Sequence, residues 1–267
     1  MNLVETLQSL EPIFVEAGKL ALKMQKGVDY HNKYSTGNPL ADIVTEADLA
    51  VQEFLLKEII KTELVNCHLL AEENTPLAKK FNEQGKYYLG IDPIDGTATY
   101  AKGGKCFSTI ISLHDGKNIL YMFGYYPVLN WTYRVANNKY WSSGEIPDFA
   151  LPPELKNTIV YWSGNPEKNL PKEIYSELKN RGIGFKKVLD IGEDVDSITM
   201  LALDKVTGTY KENPNVYDGI AEFSIASAKG LKIYSGGPNG NFDLLNIKKR
   251  ESGFYYPGYY LTLSDLL

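Results

Sequence analysis

The sequence of 267 residues has little cysteine, no long apolar run and no block of basic residues. Only Cys67 and Cys106 are present, too few for a disulfide framework and without the spacing of metal ligands. We expect both to be buried, reduced thiols. No stretch of about 18 apolar residues predicts a membrane span, and the N-terminal segment lacks the pattern of a signal peptide. These absences favour a cytoplasmic location.

The charge balance is mildly acidic, with 28 Lys and Arg against 33 Asp and Glu and a net charge of −5. Because the basic residues form no cluster, nucleic-acid polymers and anionic membranes are poor candidate partners. The hydrophobic content of 43% is sufficient for an ordinary globular core. An acidic chain can still bind a small phosphorylated ligand if metal ions or helix N-termini supply positive charge.

The most informative stretch is residues 90–97, Gly-Ile-Asp-Pro-Ile-Asp-Gly-Thr. The apolar residues before it predict a short buried strand, and Pro93 and Gly96 predict a turn that holds Asp92 and Asp95 close together. Neighbouring carboxylates repel each other, so a divalent cation would stabilise them. An all-oxygen ligand set favours Mg²⁺, Mn²⁺ or Ca²⁺ over zinc. Taken alone, the stretch is also compatible with an ordinary turn that binds nothing.

Further acidic residues stand where predicted elements begin or end. Asp48 lies at the start of a predicted helix, where it also fits a capping box with Thr45. Glu72 and Glu73 follow a predicted buried strand, and Asp218 lies in the second half of the chain. Each of these is compatible with a solvated turn or cap, but together with Asp92 and Asp95 they form four clusters.

The hydrophobic pattern predicts an α/β protein. Residues 3–26 carry one apolar stripe and predict a single helix, and residues 108–135 predict an antiparallel meander. His114 falls in a predicted hairpin turn, where we expect it to be exposed. Residues 142–156 predict a link, after which strands and helices alternate, with a strand at 185–191 and a helix at 217–228 among them.

The order and context of the acidic segments resemble the inositol monophosphatase family of magnesium-dependent, lithium-sensitive phosphatases. The family carries Asp-x-Val-Thr-x-x-Asp, Gly-Glu-Glu, Asp-Pro-Ile/Leu-Asp-Gly-Thr and a late Trp-Asp. In this sequence the corresponding residues are 42–48, 71–73, 92–97 and 217–218. The third segment is highly specific, and the resemblance spans about residues 5–245.

The resemblance implies a layered α-β-α-β-α sandwich, with the antiparallel meander in the N-terminal half and a smaller α/β C-terminal half. It implies a single domain over residues 1–267, divided into halves at about 1–150 and 155–267. It also implies a soluble homodimer. The expected cofactor is Mg²⁺, two to three ions, with Mn²⁺ as an alternative and Li⁺ as an inhibitor.

The resemblance also implies a set of metal ligands. Glu72, Asp92 and the main-chain carbonyl of Ile94 would hold a first ion. Asp92 would bridge to a second ion that also binds Asp95 and Asp218. Glu72 would in addition hold a third, weaker ion through water, which gives it a catalytic role.

The catalytic pair implied by the resemblance is Asp48 and Thr97, which would orient and activate the attacking water. A threonine hydroxyl is a weak base by itself, so it can take a proton only while passing its own to Asp48. The residues that the resemblance implies for phosphate and substrate binding are Asp95, Gly96, Thr97 and Asp218. Gly96 would let the backbone approach the phosphate closely.

Several residues depart from the family pattern without removing a metal ligand. Tyr217 replaces the usual Trp, and Glu222 stands among positions that are usually small. Asp196-Ser197 replaces a Gly-Ser, and Thr99-Tyr100 replaces Asn-Phe. Several of these positions contact the alcohol part of the substrate in the family, so the activity is better supported than the substrate.

We therefore predict a Mg²⁺-dependent phosphomonoesterase that hydrolyses a small phosphorylated polyol, with inositol monophosphate as the first expectation. A 3′(2′),5′-bisphosphate nucleotidase or a fructose-1,6-bisphosphatase is the alternative. A second alternative is a relative that binds metal or ligand without turnover, motivated by Glu222 and the altered segment at Asp196.

Overall fold

The computed structural model describes residues 2–26, 30–32, 43–144, 146, 153–192, 194–237, 243–250 and 253–264, with only the backbone for 30–32 and 43–45. Asp42, the first acid of the 42–48 segment, and the side chain of Thr45 therefore lie outside the description. Within the described ranges, no helix is long and apolar enough to cross a membrane.

The described residues of the N-terminal half form four α-helices and eight strands. In chain order they are α1 (Leu3–Ser9), α2 (Glu11–Met24), β1 (Tyr30–Asn32), β2 (Ile43–Thr45), α3 (Glu46–Ile59), β3 (His68–Ala71), β4 (Tyr88–Asp95), α4 (Thr97–Ala101), β5 (Ser108–His114), β6 (Ile119–Tyr126), β7 (Trp131–Ala136) and β8 (Lys139–Ser143). Strands β3 to β8 form one sheet in sequence order. The pair β3–β4 is parallel and the other pairs are antiparallel, so the predicted meander is present.

Helices α2 and α3 cover one face of this six-stranded sheet. Phe14 on α2 and Leu55 on α3 are fully buried, in one hydrophobic cluster with Ile91 of β4 and Ile111 of β5. This packing fixes the end of β4, where the acidic stretch begins, against the start of α3.

Among the described residues of the C-terminal half, the chain forms four α-helices and seven strands. They are β9 (Leu155–Tyr161), α5 (Pro166–Asn169), α6 (Lys172–Asn180), β10 (Gly184–Lys187), α7 (Ser197–Ala202), β11 (Val206–Glu212), α8 (Ala221–Ala228), β12 (Lys232–Gly236), β13 (Lys248–Arg250), β14 (Gly253–Tyr255) and β15 (Tyr259–Leu263). Five of the strands form a sheet in the order β10-β9-β11-β15-β12. Strands β9, β10 and β11 are parallel, and β15 is antiparallel to both of its neighbours.

The helices and the two sheets alternate as layers. Helices α7 and α8 lie between the sheets, where Ile198 and Ile225 share a cluster with Met122 and Trp131 of the larger sheet. On the other face of the smaller sheet, Leu170 and Leu178 of the α5–α6 segment pack with strand residues. The predicted α-β-α-β-α sandwich is therefore confirmed.

Several predicted element boundaries are wrong. The helix expected over 3–26 is two helices that divide at Leu10, with Pro12 in the first turn of α2, where a missing N–H costs no hydrogen bond. The strand expected over 185–191 ends at Lys187 and continues as a 3₁₀ turn. The helix expected from Tyr217 begins at Ala221. Strands β8 and β15 were not predicted.

The prediction that His114 is exposed is also wrong. Its ring is fully buried at the end of β5, stacked on Tyr88 with ring centroids 4.8 Å apart. Nδ1 accepts the Gly116 N–H at 3.1 Å, and Nε2 lies 2.7 Å from the Tyr256 hydroxyl. Burial lowers the pKa of His114 to about 4, so the ring is neutral at physiological pH. It stabilises the fold by packing and hydrogen bonding.

Candidate active site

The parallel pair β3–β4 brings two of the acidic segments to the same sheet edge. Ala71 is in register with Ile91, and the Glu72 N–H donates to the Ile91 carbonyl at 3.1 Å. Because both strands run in the same direction, the residues that follow them, Glu72 and Asp92, emerge side by side. Strand pairing thus brings together in space two carboxylates that lie far apart in the sequence.

The Asp-Pro-Ile-Asp segment leaves the regular ladder of the sheet. Pairing with β5 shifts between Asp92 and Asp95, and a carboxylate oxygen of Asp92 accepts the Ile94 N–H at 3.1 Å. Gly96 follows with a φ of 84°, in the left-handed region that glycine adopts easily. A Cβ at Gly96 would lie 3.1 Å from the Cys106 carbonyl oxygen, so both conformation and space favour glycine there.

The Thr97 hydroxyl lies between the acidic stretch and α3. It donates to the Ile94 carbonyl at 2.9 Å, and Asp48 Oδ1 lies 3.4 Å away as a second acceptor. Asp48 is buried in the first turn of α3. The predicted pair of Asp48 and Thr97 is therefore in contact, and the hydroxyl has a choice of two acceptors.

We call Asp48, Glu72 and Glu73 the first cluster. Their ligand atoms lie within 4.8 Å of one another. Gln52 fixes the turn that carries the two glutamates: its Nε2 donates to the Glu73 carbonyl at 2.6 Å and its Oε1 accepts the Glu73 N–H at 2.9 Å. Glu73 was predicted to lie in one of the four acidic clusters but was given no ligand role, and Gln52 was not predicted, although it lies one helical turn after Asp48.

We call Asp92, Asp95 and Asp218 the second cluster; their ligand atoms also lie within 4.8 Å of one another. Asp218 precedes α8 in a turn held by Asn215, whose side-chain oxygen accepts the N–H groups of residues 217–219 at 3.0–3.3 Å. Asp218 Oδ1 is buried, and no residue in the described ranges gives it a hydrogen bond. A buried carboxylate oxygen without a donor is a favourable position for a cation.

Asp92 connects the two clusters electrostatically. Burial raises the pKa of Asp92 well above its usual range, and the carboxylates of Glu72 and Asp218 raise it further. A hydrogen bond with Glu72 acts in the same direction. The two clusters therefore form one site, in which like charges repel each other unless cations or protons compensate them.

Lys211 of β11 lies beside the second cluster, and the sequence did not reveal this contact. Its ammonium lies 3.6 Å from Asp218 Oδ2 and 3.1 Å from Glu222 Oε2, and its side chain is 13% exposed. Burial alone would lower the pKa of Lys211, but the carboxylates of Glu222 and Asp218 raise it above its ordinary value. The ammonium therefore stays charged beside the second cluster.

Glu222 has a structural explanation that the sequence comparison lacked. The side chain is fully buried and pairs with Lys211. Ser197 donates to its Oε1 at 2.5 Å, and the Tyr260 hydroxyl lies 3.1 Å from its Oε2 and 2.7 Å from the Gly219 carbonyl, two acceptors for one proton. The acid at this usually small position is thus fully satisfied.

Asp196 caps α7 and touches the N-terminal half. Its Oδ1 accepts the Thr199 N–H at 2.8 Å, and Oδ2 accepts the Cys106 thiol at 2.9 Å. Burial raises the pKa of Cys106 well above its ordinary value, so the thiol is protonated. Cys67 is buried, as expected, whereas Cys106 is partly exposed, and both are free thiols.

The residues present fit divalent cations. Carboxylates of both clusters converge, the Asp218 Oδ1 atom has no donor in the part of the chain that is described, and the Ile94 carbonyl keeps a lone pair besides the one that accepts Thr97. All candidate ligands are oxygen atoms, the donor type of Mg²⁺ and Mn²⁺.

Comparison with known proteins assigns the chain to a family. The profile described as "Inositol monophosphatase family" matches residues 6–250 of this chain. The chain belongs to the inositol monophosphatase family. The family prediction is confirmed, together with its class of hydrolases that act on phosphate monoesters.

Curated relatives of this family member carry two different names. The 3′(2′),5′-bisphosphate nucleotidase CysQ of Escherichia coli K12 is 34% identical over 226 residues, 82% of this chain and 85% of that protein. An inositol monophosphatase of Dictyostelium discoideum is 30% identical over 136 residues, 49% of this chain. The chain spans less than half the length of that second relative, 46%.

Solved structures of the family share the fold over nearly the whole chain. An IMPase of Thermotoga maritima superposes with a TM-score of 0.65 at 18% identity, covering 97% of this chain and 92% of that one. A structure titled as an IMPase/NADP phosphatase complexed with Mg²⁺ and phosphate has a TM-score of 0.64 at 16% identity, covering 99% and 92%. At these identities the likeness concerns the fold.

Proposed function

We propose that this protein is a metal-dependent phosphomonoesterase whose active site is formed by the first and second clusters. The observation that carries the proposal is the convergence of both clusters at the end of β4, where Asp92 interacts with Glu72 on one side and Asp218 on the other. A site with this excess of buried negative charge is suited to bind divalent cations and, through them, a phosphate group.

We assign the cation ligands residue by residue. Glu72, Asp92 and the Ile94 carbonyl would hold one ion, and Asp92, Asp95 and Asp218 a second, with a third held more weakly near Glu72. When bound, Mg²⁺ or Mn²⁺ neutralises phosphate oxygens and lowers the pKa of water. Li⁺, which carries only one charge, would act as an inhibitor by occupying a cation position without supplying this chemistry.

The chain's own groups would move the proton. Thr97 accepts a proton from the attacking water at Oγ1 and passes its own to Asp48, whose Oδ1 lies 3.4 Å away. For this step the hydroxyl turns from the Ile94 carbonyl to Asp48. Glu72 would act beside them through water. Main-chain N–H groups at Gly96 and Thr97 would bind the phosphate directly. Asp95 and Asp218 would contribute to phosphate binding through the cation that they hold.

For the substrate we place a 3′(2′),5′-bisphosphate nucleotide first and inositol monophosphate second. The support is that a relative named as a bisphosphate nucleotidase is similar over 82% of this chain, whereas the relative named as an inositol monophosphatase is similar over 49%. This order reverses the one expected from the sequence. Fructose 1,6-bisphosphate remains the third candidate.

The test is to measure the phosphate that the purified protein releases from nucleotide, polyol and sugar phosphates, with and without Mg²⁺. The panel contains 3′-phosphoadenosine 5′-phosphate, inositol 1-phosphate, fructose 1,6-bisphosphate and glycerol 2-phosphate. We expect turnover that needs the metal and is fastest with the nucleotide. The Asp92→Asn variant is the matched control for contaminating phosphatases.

The outcomes separate the proposals. A faster reaction with inositol 1-phosphate would overturn the substrate order but keep the mechanism. No metal-dependent turnover on any substrate, with metal still bound, would favour a non-catalytic relative. Against that alternative, Glu222 and Asp196, the two departures that motivated it, both have structural partners outside the clusters.

We further propose that the protein is a single-domain, cytoplasmic homodimer. The shared cluster of α7, α8 and the larger sheet supports the single domain, because the two halves bury apolar surface against each other. Light scattering coupled to gel filtration would test the dimer, and one cooperative unfolding transition would test the single domain.

A further inference from the structure

Lys211 gives the second cluster a positive charge of its own. Its ammonium lies within 3.6 Å of Asp218 Oδ2, a carboxylate that we assign to a divalent cation. Lys211 projects from β11 toward α8, between the smaller sheet and the helix layer, and its side chain is largely buried. An ammonium in this position interacts with the same oxygen atoms that the cation needs.

The ammonium is held in place by a chain of buried partners. Glu222 Oε2 binds Lys211 at 3.1 Å, and Ser197 fixes the other oxygen of Glu222. Ser197 in turn accepts the indole N–H of Trp162 at 3.1 Å. Glu222 is fully buried and cannot follow Lys211 into solvent. If Lys211 moved away, the Glu222 carboxylate would remain buried without a compensating charge, which is unfavourable. Lys211 therefore remains near Asp218 when a cation binds.

A fixed ammonium beside a cation site has two physical effects. It repels a divalent cation at the second cluster, and it compensates part of the carboxylate charge when that cation is absent. We propose that Lys211 is a positioning residue that weakens divalent-cation binding at the second cluster; this inference rests on the proposed metal-dependent function. The ion at the second cluster then exchanges more easily than the ion at the first cluster. Asp218 keeps its position through Lys211 and Asn215 while the ion is away.

The test measures metal binding directly, apart from turnover. The full chain is freed of metal with EDTA and titrated with Mn²⁺, and free Mn²⁺ is counted by electron paramagnetic resonance. Lys211→Gln keeps a hydrogen-bond donor for Glu222 but removes the charge. We expect the weaker Mn²⁺ site to bind more tightly in Lys211→Gln, with a dissociation constant lower by on the order of tenfold, because the ion no longer faces an ammonium.

Matched variants isolate the charge. Lys211→Arg keeps the positive charge and is expected to bind Mn²⁺ within about twofold of the wild type. The double variant Lys211→Met/Glu222→Gln removes the buried pair together, which protects the fold if the single change unfolds it, and should also bind Mn²⁺ more tightly. Lys186→Met, an exposed lysine on β10, controls for a general change of net charge.

Two results would overturn the inference, and they differ. If the wild type binds Mn²⁺ but neither Lys211→Gln nor the double variant binds it more tightly than Lys186→Met does, Lys211 has no influence on the cation. If the wild type binds no Mn²⁺ at all, the metal-dependent function itself is wrong. Melting followed by circular dichroism confirms that each variant is folded.

Discussion

The first and second clusters are built differently, although they share one site. The first cluster is formed by α3 and the turn after β3, so every ligand comes from the N-terminal half. The second cluster takes Asp92 and Asp95 from β4 but Asp218 from the turn before α8. The first is supported by a buried amide, Gln52, and the second by a buried ammonium, Lys211.

The two clusters therefore depend on different contacts. The first cluster requires only the parallel pairing of β3 with β4 and the packing of α3 on the sheet. The second also requires that the helix layer with α7 and α8 docks between the two sheets. We therefore expect cation binding at the second cluster to be more sensitive to changes in the C-terminal half.

The largest expected effect is that of Asp92→Asn, because Asp92 belongs electrostatically to both clusters. We expect phosphate release to fall on the order of 10³-fold, since a ligand for the cations is lost. The metal-free variant should be at least as stable as the wild type, because the pKa of Asp92 is raised and its charge is unfavourable in the fold. Phosphate release and thermal melting in EDTA check both points. Unchanged turnover would refute the cation assignment.

Thr97→Ala removes a hydroxyl that, of the two clusters, contacts only the first, at Asp48. We expect kcat to fall about 10²-fold with little change in KM, because the hydroxyl passes a proton to Asp48 only during reaction. Thr97→Ser, which keeps the hydroxyl, is the matched control and should retain most of the activity. A rise in KM with unchanged kcat would instead mean that Thr97 only binds phosphate.

His114 supplies a pH dependence opposite in sign to that of the clusters. Its folded pKa of about 4 lies below the ordinary 6.5, so the unfolded state binds the extra proton between these values. The free energy of unfolding should therefore fall as the pH drops from about 6.5 to about 4, by up to about 3 kcal/mol. Acid acts in the other direction on Asp92, whose repulsion it relieves.

Urea unfolding of the EDTA-treated wild type and His114→Asn between pH 7 and pH 4 separates the two effects. The variant should lose the acid-dependent decrease that the histidine causes, leaving the contribution of the clusters. His68→Asn, a change in the neighbouring pair of strands, serves as the control. Parallel pH curves for the wild type and His114→Asn would contradict a buried, neutral ring.

The smallest expected effect is that of Gly96→Ala, at the turn that joins β4 to α4. We expect a loss of about 1 to 2 kcal/mol of stability from the left-handed backbone alone. Gly103 also has a positive φ, but a Cβ there meets nothing within 4 Å. Urea unfolding of Gly96→Ala and Gly103→Ala should thus show similar strain, and only the first should also lower activity through its contact with Cys106. Equal activities of Gly96→Ala and Gly103→Ala would show that the close approach at Gly96 does not affect activity.

Most of the proposed site residues could be found from the sequence because they lie in short, contiguous segments. Asp92, Asp95 and Thr97 lie in one turn, and Glu72 follows a strand that pairs directly with β4. Lys211 could not be predicted, because its contact with Asp218 depends on the course of the chain between β11 and α8, and a lone lysine in a strand has no pattern. The site roles themselves remain predictions.

The same reasoning explains the errors in the fold. The stripe of residues 3–26 is continuous in period, so the break at Leu10 leaves no trace in the hydrophobic pattern. His114 is followed by Asp115-Gly116, a turn signal, but Tyr256, from a segment 142 residues later, covers the ring. Burial of a polar group by a distant segment has no local signature in sequence.

The position of β15 has a consequence for how the protein is made. This strand pairs with β11 on one side and β12 on the other, and those two strands are not neighbours without it. During synthesis the smaller sheet therefore stays open between β11 and β12 until residues 259–263 have left the ribosome. A nascent chain halted before this point would hold the first cluster in a complete larger sheet, yet expose two strand edges of the smaller one to chaperones or to other chains.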